Sequence, residues 1–131
     1  MALLRRISLT IQVDGSGDAT DYTVPVHGFL YGVFMDYDAL DTGADFTITE
    51  ESSGKALLTI TNAGTSDLAW YPRIGSHPVA NTAGGTIVVG GATTGGEGTV
   101  ENLLSVVGRI KVVTAQGGVS LSGALHFDII R

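Results

Sequence analysis

Cysteine is absent from this chain of 131 residues. Neither a disulfide framework nor a thiolate metal site is therefore available, and the fold must rest on a buried core, for which one domain of this length suffices. Histidine is scarce as well: the three, at 27, 77 and 126, are too scattered for a helical metal motif. Charged residues make up 15% of the chain, against roughly 25% in an average soluble domain. Seven Lys and Arg face thirteen acids, for a net charge of −6. The cations are dispersed, with Arg5-Arg6 and Arg109/Lys111 the only pairs, whereas a phosphate backbone calls for clustered Lys and Arg. Nucleic acid is thus not an expected partner. No apolar run approaches the roughly 20 residues of a membrane span, so no membrane association is expected. After Arg5-Arg6 the pattern alternates instead of running apolar, which does not read as a signal peptide and leads us to expect synthesis in the cytoplasm.

What the chain has in excess is glycine, 19 of 131 residues, about twice the usual share. With abundant Thr, Val and Ile and little Lys or Glu, this composition favours strands and turns over helices. Ile7 to Val13 alternates, odd positions apolar and even positions polar, as a half-buried strand does. Asp14-Gly15-Ser16-Gly17-Asp18 closes it with a turn. Tyr22 to Val26 alternates again, with Pro25 marking an edge or strand end. His27 to Met35 is a longer apolar run, expected to be buried on both faces. Phe46–Thr49 and Ala56–Thr61 read as a hairpin about Glu51-Ser52-Ser53-Gly54. Residues 75–98 form a long Gly-rich excursion around the short apolar stretch Thr86 to Val89. Thr99 to Val106 is open between short helix and strand. Arg109–Thr114 and Val119–Ile130 read as a final hairpin about Gln116-Gly117-Gly118. The expectation is one all-β domain over 1–131, an antiparallel β-sandwich or barrel-like fold of about seven to nine short strands.

Candidate chemistry is sparse. Asp41-Thr42-Gly43-Ala44 resembles the catalytic loop of retroviral-type aspartic proteases, in which two subunits each supply one Asp and the pair shares a proton. Val106-Val107-Gly108-Arg109 resembles a later element of that family. The resemblance implies a homodimeric protease using Asp41, with Thr42 and Gly43 shaping its turn. The approach Asp36-Tyr37-Asp38-Ala39-Leu40 is polar where that family has an apolar strand. The expected flap position, Asn62 to Leu68, reads as an ordinary turn. Asp-Thr-Gly is also ordinary turn chemistry ahead of a strand, and this is the reading we prefer. Six acids between Asp36 and Glu51 do not follow the calcium-loop spacing, which wants Gly at the sixth place and Glu at the twelfth. The Gly90–Gly98 stretch lacks the Lys-Ser/Thr ending of a phosphate loop, and Glu97 would repel phosphate. No Gly-x-Ser-x-Gly elbow is present, and Ser76-His77 does not imply a triad. No metal or cofactor is expected. Trp70, Tyr71, Arg73 and His77 form the most interface-like cluster, because Trp, Tyr and Arg are enriched at binding hot spots.

The order of these segments carries a second resemblance. Arg5-Arg6-Ile7 and the Asp14–Thr20 turn are followed by Asp45-Phe46-Thr47-Ile48-Thr49-Glu50, Ser53-Gly54, Tyr71-Pro72-Arg73, His77 and Gly84-Gly85-Thr86. Arg109–Gly118 and the strand after it complete the series. The succession, over nearly the whole length, resembles small structural proteins of tailed bacteriophages encoded among head genes. It implies a non-enzymatic virion component on the capsid exterior. Most specifically, it implies a decoration (cement) protein that binds the major capsid protein as a dimer or trimer. A head-completion, neck or tail component is the structural alternative. The contact residues expected on this reading are Trp70, Tyr71, Arg73, His77, Gly84, Gly85 and Thr86.

Overall fold

Alternation along the first strand decides which side chains turn inward: Ile7 and Ile11 are buried and Leu9 partly so, while Ser8, Thr10 and Gln12 face water. The computed structural model describes residues 3–35, 40–64, 66–75, 88–89, 98–99 and 101–131, none of them helical. In chain order the strands are β1 (Leu4–Gln12), β2 (Ala19–Tyr22), β3 (Val26–Met35), β4 (Asp45–Glu50), β5 (Ala56–Ile60), β6 (Leu68–Trp70) and β7 (Ile74–Gly75). They continue as β8 (Val88–Val89), β9 (Gly98–Thr99), β10 (Glu101–Asn102), β11 (Leu104–Gly108), β12 (Ile110–Ala115) and β13 (Ser122–Ile130).

Two antiparallel sheets result, a β-sandwich. The first runs β1-β13-β3-β11, with β6 beside the C-terminal half of β3; the second runs β2-β12-β4-β5. Ile11, Leu30, Val33, Leu125 and Phe127 of the first sheet meet Phe46, Ile48, Ile110 and Val112 of the second, each at most 1% exposed. Removing a side chain such as Phe127 from this core would cost about 3–5 kcal/mol. Two-residue ladders join β7 to β10 and β8 to β9.

The chain changes sheets at nearly every connection, and only β4–β5 is a hairpin within the two main sheets. Corners of this kind concentrate left-handed backbone. Gly118 (φ 94°) lies in the link from β12 to β13, where a Cβ would fall 2.5 Å from Leu121 Cδ1. Gly28 is needed for a different reason: on β3 a Cβ would stand 2.3 Å from the Ile130 carbonyl oxygen. Only glycine lets those two backbones approach so closely.

Three expectations change, and one open reading is decided. Arg109–Thr114 and Val119–Ile130 do not pair, because β12 lies in the second sheet against β2 and β4 while β13 lies in the first against β1 and β3. The same periodicity serves a hairpin and a sheet-crossing corner equally well. Tyr22 to Val26 is not one strand: Thr23 and Val26 turn inward, and Val24 and Pro25 span the crossover, exposed. The run His27–Met35 is buried on one face only, with Phe29 and Tyr31 exposed on the other. Thr99–Val106, open between short helix and strand in the sequence, is extended where described. The β4–β5 hairpin forms as expected, with a register shift between Ile48 and Thr49. Most of the Gly-rich excursion, 76–87 and 90–97, lies outside the described residues, while its two flanks meet in the β7–β10 ladder.

Candidate interaction surface

The outer face of the first sheet carries an unusual set of side chains for a solvent-facing surface. Strand pairing aligns Leu4, Ile130, Phe29 and Ser105 in one row across β1, β13, β3 and β11. The next row holds Arg6, Asp128 and Gly32, and the one after it Ser8, His126, Phe34 and Ala69. A bulge between Asp128 and Ile129 leaves Tyr31 without an opposite residue on β13, and bulges commonly re-aim side chains in this way. Leu3, Leu4 and Phe29 are 61%, 62% and 47% exposed. Leu3, Leu4, Tyr31 and Ile130 line a shallow apolar hollow beside β1.

Beyond β6 the chain turns Tyr71 onto this face. Its ring meets Tyr31 at 5.7 Å between centroids and Phe34 at 5.8 Å, both edge-to-face, the geometry the ring quadrupole favours. The Phe34 and Tyr71 rings close over Gly32, where a Cβ would come within 3.1 and 3.3 Å of them. Two arginines brace the cluster. Arg6 lies 4.9 Å over Phe34 while donating Nε and Nη2 to the buried Asp128 carboxylate at 2.7 and 3.1 Å. Arg73 lies 5.3 Å from the Tyr31 ring, and its Nη1 donates to the Tyr31 and Pro72 carbonyls at 2.9 and 2.7 Å. These bonds hold planar, apolar side chains in place before any partner arrives. Such preorganised aromatic and arginine groups characterise binding hot spots.

Of the contact residues expected from sequence, the structure unites Tyr71 and Arg73 on this face. Trp70 pairs with the buried Val33 and packs partly buried against the core. His77, Gly84, Gly85 and Thr86 lie outside the described residues. Sequence reading missed Leu4, Arg6, Phe29, Tyr31, Phe34 and Ile130. The available signal was Phe29 and Tyr31 two residues apart in a strand, which places both on one face.

Asp41 sits elsewhere. It is exposed, its N–H donates to the Gly117 carbonyl at 3.0 Å, and its own carbonyl accepts from Ala44 at 3.0 Å. Its carboxylate accepts from the Thr42 hydroxyl at 3.3 Å and faces the Gly43 N–H at 3.5 Å, an Asx-type turn. Asn62–Gly64, where a protease flap would begin, is tied to the motif itself. Ala63 and Gly64 donate to the Ala44 and Thr42 carbonyls at 2.9 and 3.0 Å, and the Asn62 N–H to Asp45 Oδ1 at 2.8 Å. Gly108-Arg109 stands at the opposite end of β12, whose six residues separate it from Asp41 by about 20 Å at roughly 3.3 Å per residue. Arg109 there is paired with Glu51 and stacked 4.3 Å over Tyr22. The two protease-like elements are therefore not neighbours within one chain. Among the described residues no group of three or more His, Asp or Glu is placed to hold a metal.

No protein-family model matches this sequence, and no curated protein matches it either.

Proposed function

We propose that this protein is a non-enzymatic structural component of a tailed-phage virion, and most specifically a decoration protein. On this reading it binds the major capsid protein through the outer face of the sheet β1-β13-β3-β11. The observation that carries the reading is the braced cluster of Tyr31, Tyr71 and the half-buried Phe34, beside the exposed Phe29, on the outer face of the sandwich. Exposed contiguous apolar surface of this kind marks an interaction site more often than a stable monomer surface. A capsid-binding protein needs little else: a stiff scaffold, few reactive groups and an adhesive face. The chain-long resemblance in segment order supports the phage assignment, and an acidic chain suits the exterior of a DNA-filled shell.

Copy number in purified particles tests this. Hundreds of copies per particle, by quantitative mass spectrometry, are expected for decoration. Six or twelve would move the protein to the neck or tail, and its absence from particles would end the virion reading.

A further inference from the structure

The edges of the two sheets are treated very differently. On β11, the main-chain groups that turn away from β3 are covered by the β4–β5 turn. Lys55 Nζ donates to the Ser105 carbonyl at 2.7 Å, Ser52 Oγ to the Val107 carbonyl at 3.1 Å, and the Val107 N–H donates to Glu50 Oε2 at 2.9 Å. Strand β2 has four residues and is followed closely by Pro25, β6 has three, and β5 has five beside a register shift. Short length, proline, bulges and a covering segment are the devices by which sheets avoid edge-to-edge pairing.

Among the described residues, strand β1 has none of them. It runs nine residues in unbroken register against β13, without proline or lysine. Its charges, Arg5 on the inner face and Arg6 on the outer, are confined to its first three residues, and from Ile7 to Val13 no charge points into the sandwich. The Arg131 N–H donates to the Leu3 carbonyl at 3.0 Å, and the Val13 N–H to the Leu121 carbonyl at 2.9 Å. Both fit the same antiparallel register, so the odd residues of β1 bond to β13 and the even ones aim N–H and C=O at the outer edge. Among the described residues no strand lies on that edge. There Leu4, Ser8, Thr10 and Gln12 present an extended template.

We infer that a second copy of this chain occupies this edge, β1 pairing antiparallel with β1 across a two-fold axis at Ser8, so that the two outer sheets become one. Parity requires even residues to oppose even residues, and the axis at Ser8 is the choice that engages the whole strand, with Leu4 opposite Gln12 and Ser8 opposite Ser8. Charge selects the same register. An axis at Arg6 would set like charges face to face, which is destabilising, whereas the axis at Ser8 separates the two Arg6 side chains by four positions, about 13 Å. Arg6 is moreover already matched by Asp128, so the edge opposes a copy of itself with little repulsion. On the inner side, the partly exposed Leu9 gains Ile7 of the second copy as a cross-strand neighbour. The pairing rests on the β1 edge alone and holds whether or not the chain is a virion component.

Sedimentation equilibrium on the purified full chain, without any virus component, should show a dimer. Thr10→Pro removes an N–H that serves only the outer edge and is expected to give a monomer with unchanged circular dichroism. Since the chain has no cysteine, Ser8→Cys should yield a covalent dimer under mild oxidation, because opposed residues in such a pair stand about 5.5 Å apart at Cα. Thr10→Cys, four positions off its counterpart, should not cross-link. A wild-type monomer or trimer overturns the inference. So does a dimer that survives Thr10→Pro, or one that Ser8→Cys fails to cross-link. Should Thr10→Pro lose its fold, the two cysteine variants decide: a cross-link from Ser8→Cys alone supports the pairing, and any other pattern refutes it.

Discussion

Asp41 is exposed and hydrogen-bonded to its own turn, a setting in which an amide serves as well as a carboxylate. Asp41→Asn is therefore expected to change stability by no more than about 0.5 kcal/mol, as remote surface substitutions do. Wild type and variant should be equally inert in a fluorogenic peptide-cleavage assay. Cleavage by the wild type that the variant loses would restore the protease reading. Glu50 is the more consequential acid. It is 6% exposed, and its carboxylate accepts from the Ser53 hydroxyl and the Val107 N–H, joining the β4–β5 hairpin to β11. Chiefly the Ser53 bond, then the Val107 bond and the nearby Lys55, hold its carboxyl below the usual value against the opposing effect of burial. A lowered folded-state pKa means that the stabilisation is complete above the unfolded value, about 4.3. It is lost as pH falls through the lowered folded value. Glu50→Ala strands the Val107 N–H and is expected to cost about 1–3 kcal/mol at neutral pH. Urea melts from pH 7 down to pH 2 should show wild type and variant converging in acid.

At the scale of the element, β3 matters most to the site. Its inner residues Leu30, Val33 and Met35 hold the core, while Phe29 and Tyr31 leave it by strand alternation. The sequence reads as a continuous apolar run because hydrophobicity alone does not distinguish a face packed on a core from a face reserved for a partner. Tyr71 and Arg73 were legible as interface types. The spacing of Phe29 and Tyr31 places both on one face of β3, but their neighbours on β1 and β13 were not legible, since they come together only through pairings between Arg6 and Asp128 or Phe34 and His126 that lie far apart in the chain. The double substitution Tyr31→Ser/Tyr71→Ser tests the face as a unit. Binding to capsid shells should weaken about 30-fold or more, taking one hot-spot residue at about 2 kcal/mol. The melting profile should stay cooperative, because both side chains are exposed. Unchanged shell binding would argue against this face.

Over the whole molecule, nearly every strand partner is distant in sequence: β1 pairs with β13, β3 with β11 and β13, and β2 with β12. Chain closure over such spans must precede the contacts that reward it, so stopped-flow refolding is expected on the millisecond-to-second scale. Microsecond refolding would contradict this topology. The all-β class, the turns, the β4–β5 hairpin and the inward set of β1 were determined by the sequence itself, because alternation and turn chemistry act over a few neighbouring residues. Which sheet each strand joins was decided only by tertiary structure. Residues 109–130 have the alternation of a hairpin and become a crossover, because the corner Gln116–Ser120 carries β13 over to pair with β1 and β3. That one choice buries Phe127 and raises the aromatic face, and it sets β1 at the end of its sheet, with no described strand on its outer side. Local patterning specifies which side of a strand is apolar. The partners that complete the core, and with them the surfaces left uncovered, follow from packing the two sheets against each other.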